Sequence, residues 1–164
     1  MKVLKLLLVA FLGLVALAIA TIAVGQLGLL AGPAPDHQQV VGGRLRAPST
    51  TPNSVSSQAP LYPDHPQRTY ASMDPLRFSG DGTAAMQRLA GILRNLDATV
   101  IVEQKEDYLR AESSTRILKF KDDLEFYLDR SGGVIHFRSA SRLGEQDFGI
   151  NRARMETIRA RFQD

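Results

Sequence analysis

Leu124-Glu125-Phe126-Tyr127-Leu128-Asp129-Arg130-Ser131-Gly132-Gly133-Val134-Ile135-His136-Phe137-Arg138 decides the fold. Apolar and polar residues alternate on both sides of a Ser-Gly pair, which is the signature of a β-hairpin. With Ser131-Gly132 as a two-residue turn, Leu128 lies opposite Ile135 and Phe126 opposite Phe137. Leu124, Phe126, Leu128, Ile135 and Phe137 then share one face, and Gly132 supplies the positive φ the turn requires. On the other face Glu125 meets Arg138 and Tyr127 meets His136, and opposite charges across a pair are mildly favourable. Continuing the register puts Ser139 opposite Leu124 and Ser141 opposite Asp122, all on the core side. A core-facing carboxylate must be hydrogen-bonded. Either Asp122 accepts from the Ser139 and Ser141 hydroxyls, or a bulge at Asp122-Asp123 turns it outward.

Outward from the hairpin, Ile117 to Asp129 reads as one long strand and Val134 to Ser141 as the next. Ala98 to Glu103 is rich in β-branched residues, and Tyr108 to Ser113 follows a polar turn. Asp81 to Leu96 is a helix: Met86, Leu89, Ile92, Leu93 and Leu96 form one apolar stripe, with Asp81 or Thr83 as cap. Asn151 to Phe162 closes the chain as a second helix, carrying Met155, Ile158 and Phe162 and capped by Asn151. The expected fold is α+β: a small antiparallel four-stranded sheet with two helices, preceded by an N-terminal transmembrane helix.

The N-terminal helix is inferred from Leu6 to Leu30, an uncharged stretch after Lys2 and Lys5. About 20 apolar residues span a bilayer core, and lysines stay on the cytoplasmic side. Residues 1–30 are therefore a transmembrane anchor or a signal sequence. Ala18-Ile19-Ala20 offers a signal-peptidase pattern, but the chain stays apolar for ten residues beyond it. Either way the remainder is exported. The expectation is a single-pass inner-membrane protein with its C-terminal domain in the periplasm, or a soluble periplasmic protein after cleavage. Residues 31–51, rich in Pro and Ser, read as a flexible linker, and residues 52–164 as the exported domain. Asn53 to Gln58 is open between linker filler and an ordered arm.

Composition narrows the function. From Asp74 onward there are 15 Lys/Arg and 15 Asp/Glu, so no basic face for nucleic acid is expected. There is no cysteine, which removes disulfides, thiol nucleophiles and Cys-ligated metals. His37 and His65 sit in Pro-rich sequence, so no metal and no cofactor are expected. Nucleophile elbows, phosphate loops and dinucleotide fingerprints do not occur. A His136–Ser139–Asp147 triad fails because His136 and Ser139 point to opposite faces of a strand.

The densest polar region runs from Arg138 through Ser139, Ser141, Arg142 and Gly144 to Asp147, Gly149, Asn151, Arg152 and Arg154. A helix start beside arginines can take an anion. The plainer reading has the arginines lying over the sheet while acids and hydroxyls satisfy the loop.

Phe120-Lys121-Asp122-Asp123-Leu124-Glu125-Phe126, Ile135-His136-Phe137-Arg138-Ser139-Ala140-Ser141-Arg142-Leu143-Gly144 and Asp147-Phe148-Gly149-Ile150-Asn151-Arg152-Ala153-Arg154 resemble the uncharacterised "domain of unknown function 1499" family. Pro52-Asn53-Ser54-Val55-Ser56-Ser57 resembles its N-terminal motif, with Ser54 where the family often has Cys. The resemblance covers about residues 50–163. It implies that residues 52–58 belong to the domain, and that Asp122, Arg138, Ser139, Ser141, Arg142 and Asn151 form one site, but it implies no activity. The expected function is a non-catalytic envelope domain that binds a small anionic ligand or a partner protein. The alternative is an envelope enzyme with its active site around Asp122, Ser139, Ser141 and Arg142.

Overall fold

A computed structural model describes residues 2–35 and 40–163. His37 and the part of the expected linker at 36–39 lie outside the described residues. Four helices are present among them: α1 (Lys2–Gln26), α2 (Arg68–Ala71), α3 (Gly82–Arg94) and α4 (Ile150–Gln163). Six strands accompany them: β1 (Ser54–Ser56), β2 (Leu76–Arg77), β3 (Thr99–Gln104), β4 (Tyr108–Ser114), β5 (Lys121–Asp129) and β6 (Val134–Ser141). The sheet is antiparallel in the order β1-β6-β5-β4-β3, and β2 also pairs with β6.

The β5–β6 hairpin has the register its alternation predicts: Leu128 opposite Ile135, Phe126 opposite Phe137, Glu125 opposite Arg138 and Asp122 opposite Ser141. The turn differs from expectation. Pairing stops at Asp129–Val134, so the connection is a four-residue loop, and the positive φ falls on Gly133 (62°). Gly132 is needed for another reason. The Asp129 carboxylate folds over the turn, accepting from Ser131 Oγ at 2.6 Å and Gly132 N at 2.9 Å. A Cβ on Gly132 would sit 2.6 Å from Asp129 Oδ2.

The expected four strands and two helices after the N-terminal one are thus corrected to six strands and, with α1 counted, four helices, α2 being the addition. β1 and β2 share the outer edge of β6, against Arg138–Ala140 and Val134–Ile135 respectively. Asn53 to Gln58 is therefore an ordered arm. The expected long strand from Ile117 begins only at Lys121, because residues 115–120 form the β4–β5 loop. That loop is closed by Thr115 N donating to Phe120 O and holds Lys119 at φ 56°. β3 carries a bulge between Ile101 and Glu103.

α3 and α4 cover one face of the sheet. Met86, Leu89 and Leu93 of α3 and Met155, Ile158 and Phe162 of α4 meet Leu109, Leu124, Phe126, Ile135 and Phe137 in one buried core. The Asp81 carboxylate caps α3 by accepting from Ala84 N at 2.7 Å. Along the opposite face run residues 45–48, with Leu45 buried and its N–H donating to Gln58 Oε1.

α1 is 25 residues long. The mean hydropathy of its most apolar 18-residue stretch is 2.8, and it is long and apolar enough to cross a membrane.

Candidate functional site

The strand pleat divides the residues expected to form one site. Successive side chains alternate between faces, so Ser139 and Ser141 turn toward α4, whereas Arg138 and Arg142 turn to the far side. The structure gathers Asp122, Ser139, Ser141 and Asn151 into one cluster and leaves Arg138, Arg142 and Arg152 elsewhere.

Asn151 is the hub of that cluster and is wholly buried. Its Oδ1 accepts from Ser139 Oγ at 2.5 Å and from Arg154 at 2.8 Å. Its Nδ2 donates to Ser141 Oγ and to Asn53 O, both at 3.1 Å. Asn53 O also accepts from Ser141 N at 3.0 Å, so the arm before β1 is tied to β6 and α4 together. Asp122 keeps the core-facing position, since its pairing to Ser141 is unbroken. Its partner is the Arg154 guanidinium at 2.5 Å, rather than the serine hydroxyls. An interior carboxylate with a bonded cation avoids the cost of an unpaired buried charge.

Asn151 is not the helix cap. Asp147 does that work: its carboxylate accepts from Asn151 N and Gly149 N, both at 3.0 Å, and from Tyr70 Oη at 2.6 Å. Burial by itself raises the Asp147 pKa, but the bonds from Tyr70 and the two amides outweigh it and hold it below the ordinary carboxylate value. Tyr70 is pushed up in turn, by burial and by the anionic partner.

The far face is an ionic layer. The Glu125 carboxylate is 1% exposed and accepts from Arg46, Arg138 and the Tyr108 hydroxyl. Arg142 forks onto Asp123 with two bonds of 2.8 Å and reaches Glu112 at 2.5 Å, a bidentate geometry that is both strong and directional. Bonds from Asp123 and Glu112 raise the Arg142 pKa. Burial lowers that of Arg138, against the pull of Glu125. Arg152 is bonded to the carbonyls of Tyr70 and Ser72.

Above the polar cluster lies a cavity of about 320 Å³. Phe120, Leu143, Phe148 and Ile150 form its apolar walls beside polar Thr115, Gln146 and Asp147, and Asp122 and Ser141 reach its floor. A second cleft, of about 620 Å³, is bordered by Arg77, Arg152 and Arg159 beside Pro60. Among the described residues no cluster of His, Asp and Glu is arranged to hold a metal ion.

Sequence reasoning left Asn53, Tyr70, Arg154 and Ser57 out of the expected site. Ser57 Oγ accepts from Phe137 N at 2.9 Å and lies 3.2 Å from His136 Nδ1. This hydroxyl serves to terminate the β1 ladder, and the imidazole stacks on Tyr127. Arg154 was legible as part of the densest polar stretch but not as a partner of Asp122, because a cation beside an apolar stripe carries no sign of an inward partner.

A family model described as "Protein of unknown function (DUF1499)" matches residues 44–162. No curated protein and no solved structure matches the chain.

Proposed function

The chain belongs to the DUF1499 family of proteins of unknown function, a membership that names no activity, and we propose from the site that it is a membrane-anchored, non-catalytic binding domain of the cell envelope. In this reading α1 is an uncleaved single-pass anchor. Lys2 and Lys5 stay in the cytoplasm, and the domain stands on the exported side, which in a bacterium is the periplasm. The domain begins near residue 44, a boundary supported by the burial of Leu45 and the Arg46–Glu125 pair.

One observation carries the binding reading: the pocket has apolar walls over a polar floor whose groups are already engaged from behind, Asp122 by Arg154 and Ser141 by Asn151. A pocket lined mainly by apolar side chains with a few placed polar groups is the usual shape of a small-molecule site. A general base would need a carboxylate free to take a proton from substrate, and Asp122 is engaged by Arg154.

Native mass spectrometry of the full-length chain extracted from its membrane tests this. Wild type and D122N should carry a bound small molecule, and L143W, which fills the pocket from its wall, should lose it. Turnover that disappears in D122N while the fold survives would install the enzyme reading instead. Orientation is tested separately. The chain has no cysteine, so T50C is a unique thiol, which a membrane-impermeant maleimide should label in intact spheroplasts.

A second reading rests on the Arg77–Arg152–Arg159 cleft, where three guanidiniums outnumber the lining carboxylates of Asp74 and Glu156, the latter paired with Arg159, and leave a net positive charge for a small anion. R77A should then weaken the binding of inorganic phosphate to the full-length chain, and phosphate affinity equal to wild type would dismiss that cleft.

A further inference from the structure

The pocket lies beside the end of the membrane helix. Gly25 of α1 packs so closely on the β4–β5 loop that a Cβ there would fall 2.6 Å from Leu118 O. One residue on, Gln26 Nε2 donates to Ile117 O at 2.9 Å. Further along, Gly32 abuts the side chains of Arg142 and Leu143.

These contacts set a height. Leu6 to Gly25 is an uncharged run of about 20 residues, which rises about 30 Å as a helix and matches the hydrocarbon core. Gly25 therefore marks the outer edge of that core, and the loop touching it stands at the same level.

The surface at this level suits the position. Ile117 is 60% exposed, Phe148 88%, Ile150 47% and Leu143 41%. Phe148 has a left-handed backbone (φ 52°) and a ring standing clear of the domain. Arg116 and Lys119 flank Ile117 and Leu118 in the loop. Apolar side chains bracketed by cations make up the pattern of a segment lying in an interface with anionic headgroups. Large exposed apolar side chains gathered on one end of a domain also call for a partner.

Resting on the pocket reading above, we propose that this end of the domain sits in the outer interface of the bilayer and that the pocket takes an acyl chain of a membrane lipid. Phe148 and Leu143 belong both to the exposed rim and to the pocket wall, so the apolar path from bilayer to pocket is continuous. Asp122 and Ser141 at the floor set the depth at which an apolar chain must stop.

The chain has no tryptophan, so a single introduced indole reports its own depth. Full-length F148W and Q87W would be reconstituted in phosphatidylcholine/phosphatidylglycerol vesicles whose acyl chains are brominated near the headgroup. Gln87 borders a cavity with Lys105 and Glu106, at the far end of β4, about 23 Å along the strand. F148W should be quenched about three-fold more than Q87W, given immersion of the rim by several ångströms. Equal quenching would overturn the proposal and leave the pocket reading standing.

Occupancy is read on wild-type chain taken from the same vesicles, by native mass spectrometry. The bound mass should be the phospholipid supplied, and L143W should release it. A different bound mass would assign the pocket to another ligand and overturn the proposal. No bound mass in any preparation would remove the pocket reading itself.

Discussion

Replacing Asn151 with alanine removes the hub of the buried polar cluster, and its cost follows from the partners left behind. Four side-chain hydrogen bonds are lost. Asn53 O keeps the amide of Ser141, Arg154 keeps Asp122, and the half-buried Ser141 hydroxyl keeps access to water, so these three lose only the net value of a bond, about 0.5–1.5 kcal/mol each. Ser139 fares worse. It is fully buried, and its hydroxyl proton has no other acceptor at that site, a loss of about 1–3 kcal/mol. The expected total is about 3–5 kcal/mol, or a fall in Tm on the order of 15 °C for a domain of this size. Urea unfolding of the full-length chain in detergent micelles, followed by circular dichroism, measures it. S141A, which removes one bond, should cost about 1 kcal/mol. The double variant should cost less than the sum, because the two side chains share a bond. A cost for N151A below about 1 kcal/mol at an unchanged denaturant slope would refute the claim that this cluster holds the arm, β6 and α4 together.

Three further outcomes are expected. The Asp147 carboxyl is held below its ordinary pKa, so the stability it gives is complete above about pH 4 and fades as pH falls through the lowered value. D147N should therefore flatten the acid limb of a stability–pH curve while lowering its neutral plateau. R142K should lose the fork onto Asp123, and R142A should cost about 3 kcal/mol, the low end for a broken buried pair because Arg110 and Lys121 remain nearby. In the β5–β6 loop G133A should cost about 1–2 kcal/mol through its left-handed backbone, whereas G132A should act by displacing the Asp129 carboxylate. Only for G132A should the added mutation D129A bring no further loss in equilibrium unfolding.

The hairpin from Leu124 to Arg138 was legible because four cross-strand pairs, two apolar and two polar, fall into step only in one register. The strands β1 and β2 were not, since three and two residues are too few to display alternation and Ser54-Val55-Ser56 is mostly polar. The loop at Ile117-Leu118 imitates a strand because its apolar residues face outward beside α1 instead of into the core. As for the site, the rule that rejected His136 with Ser139 also separates Arg138 and Arg142 from Ser139 and Ser141. Parity along β6 thus held the signal. The Asp122–Arg154 pair depends on how α4 lies across the sheet, and 32 residues of separation leave no local trace of it.

The kink in β3 bears on the sheet's open border. A sheet that is not closed into a barrel has two borders, and each is a template on which a neighbour can grow. Here one border is occupied by β1 and β2, so short that they offer a newcomer almost nothing to continue. The other is β3, where Val100 and Val102 lie open to solvent, yet the extra residue at the kink throws its free amides and carbonyls out of phase. A visiting strand can therefore match only part of its length.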